Sequence, residues 1–207
     1  MKPERYRTEH FFNPPVEFRP APFWSWNEKL EPKEIARQVE EIAHAGWGGA
    51  FVHSRIGLIT PYLGAEWFAA VDAAVESCRE QGLKVWLYDE DKWPSGFSGG
   101  TVPLADESFR MKALVGRPEG HVLPGAEPFG EPREGLQAWL WTAPTGQAWF
   151  NGTSYVDLGD RGAVRKFIEE AYESYYQRYG NDYGSLIAAE FTDEVCTIFR
   201  IGVPYGA

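Results

Sequence analysis

Three times in its first half, the chain runs a short apolar segment straight into a polar cluster. Phe23-Trp24-Ser25-Trp26 leads into Asn27-Glu28, Phe51-Val52 into His53-Ser54-Arg55, and Trp86-Leu87-Tyr88 into Asp89-Glu90-Asp91-Lys92-Trp93. Helical patterns lie between these segments. Ile35, Val39 and Ile42 form one apolar stripe, opened by Glu31-Pro32 and stopped by Gly46. Phe68, Val71, Val75 and Cys78 form another, stopped by Gly82. Pro suits the first turn of a helix and Gly its end. Short apolar strands alternating with amphipathic helices predict βαβ units and a parallel sheet.

In such folds ligands bind beyond the carboxyl ends of the strands. A fourth apolar run, Leu186-Ile187-Ala188-Ala189-Glu190-Phe191, ends in Thr192-Asp193-Glu194. It follows a helix pattern capped by Asp160, with Val164, Phe167, Ile168, Ala171 and Tyr175 as its expected core stripe. Carboxylates thus reach one end of the sheet from two strands: Asp89, Glu90 and Asp91 from one, Asp193 and Glu194 from the other. Two carboxyl groups whose environments separate their pKa values can run acid/base chemistry. That is the equipment of glycoside hydrolysis, in which one carboxyl protonates the leaving oxygen and another acts as nucleophile or base. Trp24, Trp26, Trp86 and Trp93 lie near the same strand ends, and aromatic faces suit a sugar ring. Trp86 is expected in the core and Trp93 nearer the substrate.

The texture changes after the third strand. Residues 104–154 read as a β-rich insertion, far longer than an ordinary βα connection. Ala138-Trp139-Leu140-Trp141 and Gln147-Ala148-Trp149-Phe150 flank Ala143-Pro144-Thr145-Gly146, which predicts a β-hairpin about a Pro-Gly turn. Insertions of this kind commonly shape the rim of a site. Tyr155-Val156-Asp157-Leu158 reads as a short strand or an extended lead-in.

Pro22-Phe23-Trp24-Ser25-Trp26-Asn27, His53-Ser54-Arg55-Ile56-Gly57-Leu58, the run from Leu87 to Gly96 and the late Phe191-Thr192-Asp193-Glu194 together resemble the catalytic domain of glycoside hydrolases related to family 106, the α-L-rhamnosidase-like group. The stretch from Tyr88 to Gly100 is the specific part. The resemblance implies a (β/α)8 barrel acting on a carbohydrate. It implies Glu194 as general acid, supported by Asp193, with Glu90 also in the catalytic set. Asp89 and Glu90 would bind sugar hydroxyls or orient the acid. Asn27, His53, Arg55, Trp93 and Trp26 would line the subsite. Pro94-Ser95-Gly96 and Gly99-Gly100 would let backbone approach the substrate. Pro usually follows the Asp-Glu pair soon after; here Val195 comes next. No residue is assigned as a metal ligand and no cofactor is expected. Some members use calcium, for which no ligand set can be assigned here.

A full barrel takes about 250 residues, and this chain has 207. The expectation is therefore a partial TIM barrel of four to five βα units in an α/β fold. Residues 1–207 would be the N-terminal portion of a catalytic domain, inactive alone or self-associating through its open sheet edge. Thirty acidic against 20 basic residues give a net charge of −10, which disfavours nucleic acid and anionic membranes as partners. The start, Met1 to Arg7, lacks the apolar stretch of a signal peptide. Cytoplasmic residence is the default, with secretion open should the true start lie upstream. Two other functions compete. A metal-dependent barrel hydrolase would draw on His53, Asp89, Glu90 and Asp193, but Arg55 stands where a His-x-His pair needs its second histidine. A non-catalytic carbohydrate-binding barrel would keep affinity without turnover.

Overall fold

The computed structural model describes residues 8–195. The elements follow in the order α1 (Thr8–Phe12), β1 (Phe23–Trp26), α2 (Pro32–His44), β2 (Gly49–Ser54), α3 (Ala65–Gln81), β3 (Lys84–Tyr88), α4 (Thr101–Ala105), β4 (Lys112–Pro118), β5 (Ala126–Arg133), β6 (Leu136–Thr142), α5 (Arg161–Phe167), α6 (Glu173–Tyr179) and β7 (Ile187–Phe191). Two compact units emerge. Among the described residues, the first holds 8–93 and 172–192, and the second holds 94–171 and 193–195.

The first unit is built on a four-stranded parallel sheet in the order β1-β2-β3-β7. The strands predicted at Phe23, Phe51, Val85 and Leu186 are its four members. Pro32 opens α2 at its first turn, as expected. Gly82 ends α3 in the left-handed conformation at φ 68°, and Leu83 N donates to Cys78 O at 2.8 Å. The sheet is open among the described residues, and a closed barrel is not seen.

Side chains on the two sheet faces alternate. Trp24, Val52, Leu87 and Glu190 stand in register across the sheet. Val52 and Leu87 enter a core with Ile35 and Val39 of α2, Val71, Ala74 and Cys78 of α3, and Tyr175 and Tyr179 of α6. Burying each large aliphatic side chain here contributes about 1.5–3 kcal/mol. Trp67 is fully buried in the same core, and its Nε1 donates to Tyr175 OH at 3.1 Å. The other face carries Phe23, Phe51 and Trp86 in register. Phe51 stacks on Trp86 at 5.0 Å and on Phe23 at 4.9 Å. Trp86, expected in the core, is only half-buried on this face.

One irregularity decides the end of the sheet. Val85 pairs with Ile187, but Trp86 pairs with Ala189. Ala188 is thus an extra residue on β7, a bulge. The bulge turns Glu190 to the row of Leu87 and sets Phe191 beside Tyr88.

The second unit contains a three-stranded antiparallel sheet in the order β4-β6-β5. The expected β-rich character is present, but the hairpin lies elsewhere. Ala138–Trp141 falls within β6, which pairs with β4 and β5. Ala148–Phe150 is a 3-10 turn. The tight hairpin is instead β5–β6, with Arg133 paired to Leu136. Its two loop residues, Glu134 at φ 51° and Gly135 at φ 75°, are both left-handed, the geometry that matches strand twist in a two-residue turn. Tyr155–Leu158 forms no strand; Val156 makes a single bridge to Arg110.

Asp160 caps α5 as expected, accepting from Gly162 N at 2.7 Å and Ala163 N at 3.1 Å. The stripe that follows differs from the expected one. Residues 163, 167, 171, 175 and 179 are buried, whereas Ile168 is 44% exposed. A π-helical turn over Ile168–Tyr172 inserts the extra residue that keeps the spacing at four.

Candidate functional site

The first unit brings together the strand-end residues of β1, β2, β3 and β7. Asn27 and Arg55 are exposed there. Arg55 is anchored by its backbone N, which donates to Trp26 O at 2.9 Å. His53 is buried and stacks on Tyr88 at 3.9 Å with the rings 11° apart. Burial, and then the Arg55 charge, push its imidazole down to about 4. At neutral pH it is a neutral hydrogen-bonding ring rather than a cation. Trp26, expected to line a subsite, is closed into the core at 2% exposure. It meets Trp24 and Trp67 edge-on, each at 5.2 Å, so its place in the fold is one of packing.

Asp89, Glu90 and Asp91 are all buried. Buried carboxylates need partners, and each has them. Asp91 N donates to the Glu90 carboxylate at Oε1, 2.8 Å away, while Ser54 Oγ donates to the backbone carbonyl of Glu90 at 2.5 Å. Lys92 Nζ lies 3.5 Å from Asp91 Oδ2. Asp89 Oδ2 accepts from Tyr172 OH at 2.7 Å and from Thr192 Oγ1 at 2.7 Å. The two hydroxyl oxygens are themselves 2.5 Å apart. Burial and the Asp89 charge raise the Tyr172 phenol above its ordinary range. Trp93 follows this cluster and is half-buried.

Glu190 belongs to the same end of the sheet and was not singled out from the sequence. Tyr183 OH donates to its Oε1. Burial, opposed by that hydrogen bond, and then the Asp89 charge push its carboxyl up to about 7. The available signal was a charged residue inside an otherwise apolar strand, which demands a reason.

Asp193 and Glu194 belong to the second unit. A reciprocal clamp holds Asp193: its N donates to Ser95 Oγ at 2.9 Å, and Ser95 N donates to Asp193 O at 3.0 Å. Tyr155 OH donates to Ser95 O at 2.7 Å. Glu194 is exposed, with φ at 42°, a conformation a non-glycine residue seldom adopts without cause. The glycines of this segment serve the fold. A Cβ on Gly96 would come within 3.0 Å of Val156 Cγ1, and one on Gly100 within 2.9 Å of Thr153 Cγ2. Protein, not ligand, occupies the space their missing side chains leave.

Chemically, the first unit offers the buried carboxyls of Asp89, Glu90 and Asp91, a half-buried Glu190 carboxyl pushed up to about 7, a neutral imidazole and an exposed guanidinium. These groups suit binding of a hydroxyl-rich ligand and proton transfer. Among the described residues no group of three or more His, Cys, Asp or Glu is arranged to hold a metal ion. Among the described residues, no helix is long and apolar enough to cross a membrane.

No family model matches the chain, and no curated protein matches it. Among solved structures, a rhamnosidase from Novosphingobium sp. PP1Y is similar at 23% identity with a TM-score of 0.42. The similarity covers 59% of this chain, which spans only 12% of that one.

Proposed function

We propose that this chain is a glycoside-hydrolase-like α/β protein, with its four parallel strands forming part of a (β/α)8 barrel wall. It binds a carbohydrate at the carboxyl ends of those strands and works by carboxylate acid/base chemistry on an O-glycosidic bond. An α-L-rhamnoside is the first substrate to test. The observation that carries this reading is the buried Asp89, held by hydroxyls from two other segments at the end of a parallel strand. A carboxylate so fixed is pre-organised for a ligand hydroxyl. The motif resemblance from Tyr88 to Gly100 supports the same assignment.

In this reading Glu194 protonates the leaving oxygen and Asp193 orients it. Asp89 and Glu90 engage sugar hydroxyls, with Asn27, Arg55, His53 and Trp93 around the ring. The test is turnover of a panel of 4-nitrophenyl glycosides, including the α-L-rhamnoside, with Glu194→Gln alongside. A general acid contributes roughly 100- to 10,000-fold. Glu194→Gln therefore lowers kcat by at least about 100-fold and leaves KM nearly unchanged. Turnover unaffected by Glu194→Gln removes Glu194 from the chemistry. Wild-type protein that neither cleaves nor binds any glycoside overturns the reading.

A further inference from the structure

Glu190 is a half-buried carboxyl, with Oε2 enclosed, that the proposed chemistry does not use. It stands in register with Leu87, on the strand that leads to Asp89. Its row faces the helical core rather than the opposite, aromatic face. Tyr183 OH satisfies Oε1. Oε2 is enclosed, with no hydrogen-bond partner among the described residues. The groups facing it are Asp89 from the end of β3, Tyr183 from the segment before β7, and Tyr172 and Tyr175 from the helical side. All are acidic or neutral in character.

We infer that Glu190 regulates the Asp89 site as a proton-holding partner: neutral while Asp89 is charged, and ionising only at the cost of repulsion between the two. The inference rests on Asp89 being the binding carboxylate proposed above. Two neighbouring carboxylates, one buried and one half-buried, do not both ionise readily. Asp89 has two hydroxyl donors to satisfy an anion, while Glu190 has one donor and an enclosed bare oxygen. The proton therefore resides on Glu190. Burial and Asp89 both push the Glu190 carboxyl up, to about 7, which agrees with this division. As Glu190 ionises, the pair gains a second negative charge, and the Asp89–Tyr172–Thr192 contact is the geometry that feels it. A ligand hydroxyl donating to Asp89 is then met by a different field above and below that midpoint.

The test is carbon-detected NMR of the side-chain carboxyls of wild-type protein across pH 4 to 9. Glu190 Cδ is expected to titrate with a midpoint near 7. Asp89 Cγ should show a secondary inflection at that same midpoint, and Glu190→Gln should remove it. A Glu190 midpoint in the ordinary carboxylate range overturns the inference, as does an Asp89 resonance that ignores the Glu190 transition. The wild-type titration decides this even if Glu190→Gln fails to fold. Absence of glycoside turnover defeats the proposed function alone, because the coupling between the two carboxyls is read without substrate. Where turnover is found, Glu190→Gln should also remove the pH limb of kcat/KM near 7, while Gln at a position with no link to Asp89 would leave that limb in place.

Discussion

Tyr172 OH donates to Asp89 Oδ2 at 2.7 Å, joining residues 83 positions apart in the chain. The contact ties the turn before α6 to the end of β3, the two parts of the first unit between which the chain makes its excursion into the second. Hydrogen bonds to a charged acceptor contribute about 1.5–3 kcal/mol. Thr192 supplies a second donor to the same oxygen. Tyr172→Phe should therefore cost about 1–2 kcal/mol, less than the full value of a lone bond. Urea unfolding measures it. Tyr172→Phe with Thr192→Val should cost more than the sum of the singles, because only then does Asp89 Oδ2 lose both of these hydroxyls.

His53 and Glu190 should impose opposite pH slopes on stability. The imidazole is depressed to about 4 in the fold. The unfolded chain therefore binds the extra proton, and this contribution is present above about 6.5 and lost as pH falls toward 4. The Glu190 carboxyl is raised to about 7 from 4.5. Its contribution is present below the unfolded value and is lost as pH rises through 7. Between the two the slopes partly cancel. Glu190→Gln should remove the loss at high pH, leaving the variant more stable than wild type at pH 8, relative to pH 5, by on the order of 1–2 kcal/mol after solvent screening. Denaturant titrations at pH 5 and pH 8 check both the sign and the size.

Glu194 should show a conflict between stability and use. Its φ of 42° suits glycine. Glu194→Gly should raise the thermal midpoint, with a gain of about 0.5–1 kcal/mol. The same change removes the proposed acid and its turnover. A variant that is both less stable and inactive would mean the carboxyl itself holds this segment.

Gly96 and Gly100 should tolerate alanine poorly, and Gly120 better. Their φ values are 131° and 108°, and an added Cβ would strike Val156 or Thr153. Strain of this kind costs about 1–3 kcal/mol. Gly120 is also left-handed, at φ 84°, but has nothing within 4 Å of a Cβ. Its alanine variant should lose only about 1 kcal/mol from the backbone. Calorimetric unfolding of the three variants ranks them.

Two buried tryptophans should separate by their partners. Trp67 Nε1 donates to Tyr175 OH, whereas Trp26 Nε1 has no partner among the described residues. Trp67→Phe leaves a buried hydroxyl short of a donor and should be the costlier change by about 1 kcal/mol. Trp26→Phe should leave sugar binding intact, since the ring packs inside the core. Comparing unfolding free energies and ligand titrations of the two variants tests both statements.

Much of the first unit was legible before any coordinates. Pro32 and Gly82 bound their helices because backbone constraints at helix ends are local. The apolar runs at Phe23, Phe51, Val85 and Leu186 became strands of one parallel sheet for a related reason. Helical stripes between short strands leave few other ways to bury both. The errors have equally definite causes. The Pro-Gly turn at 144–146 looked like a hairpin, but Glu134-Gly135 adopted the left-handed pair that a two-residue turn needs. Ile168 fell on the expected stripe of an ideal helix and left it when a π-helical turn reset the spacing.

The amino-acid order alone determined which polar cluster follows which strand, because strand, helix and cap preferences act over a few residues. It could not determine which carboxylate turns inward on β7. Side chains on a strand alternate with a period of two, so one extra residue reverses every position after it. The bulge at Ala188 is that residue. Only the pairing of β7 with β3, set by packing against distant helices, puts Glu190 in the row of Leu87, on the strand that leads to Asp89.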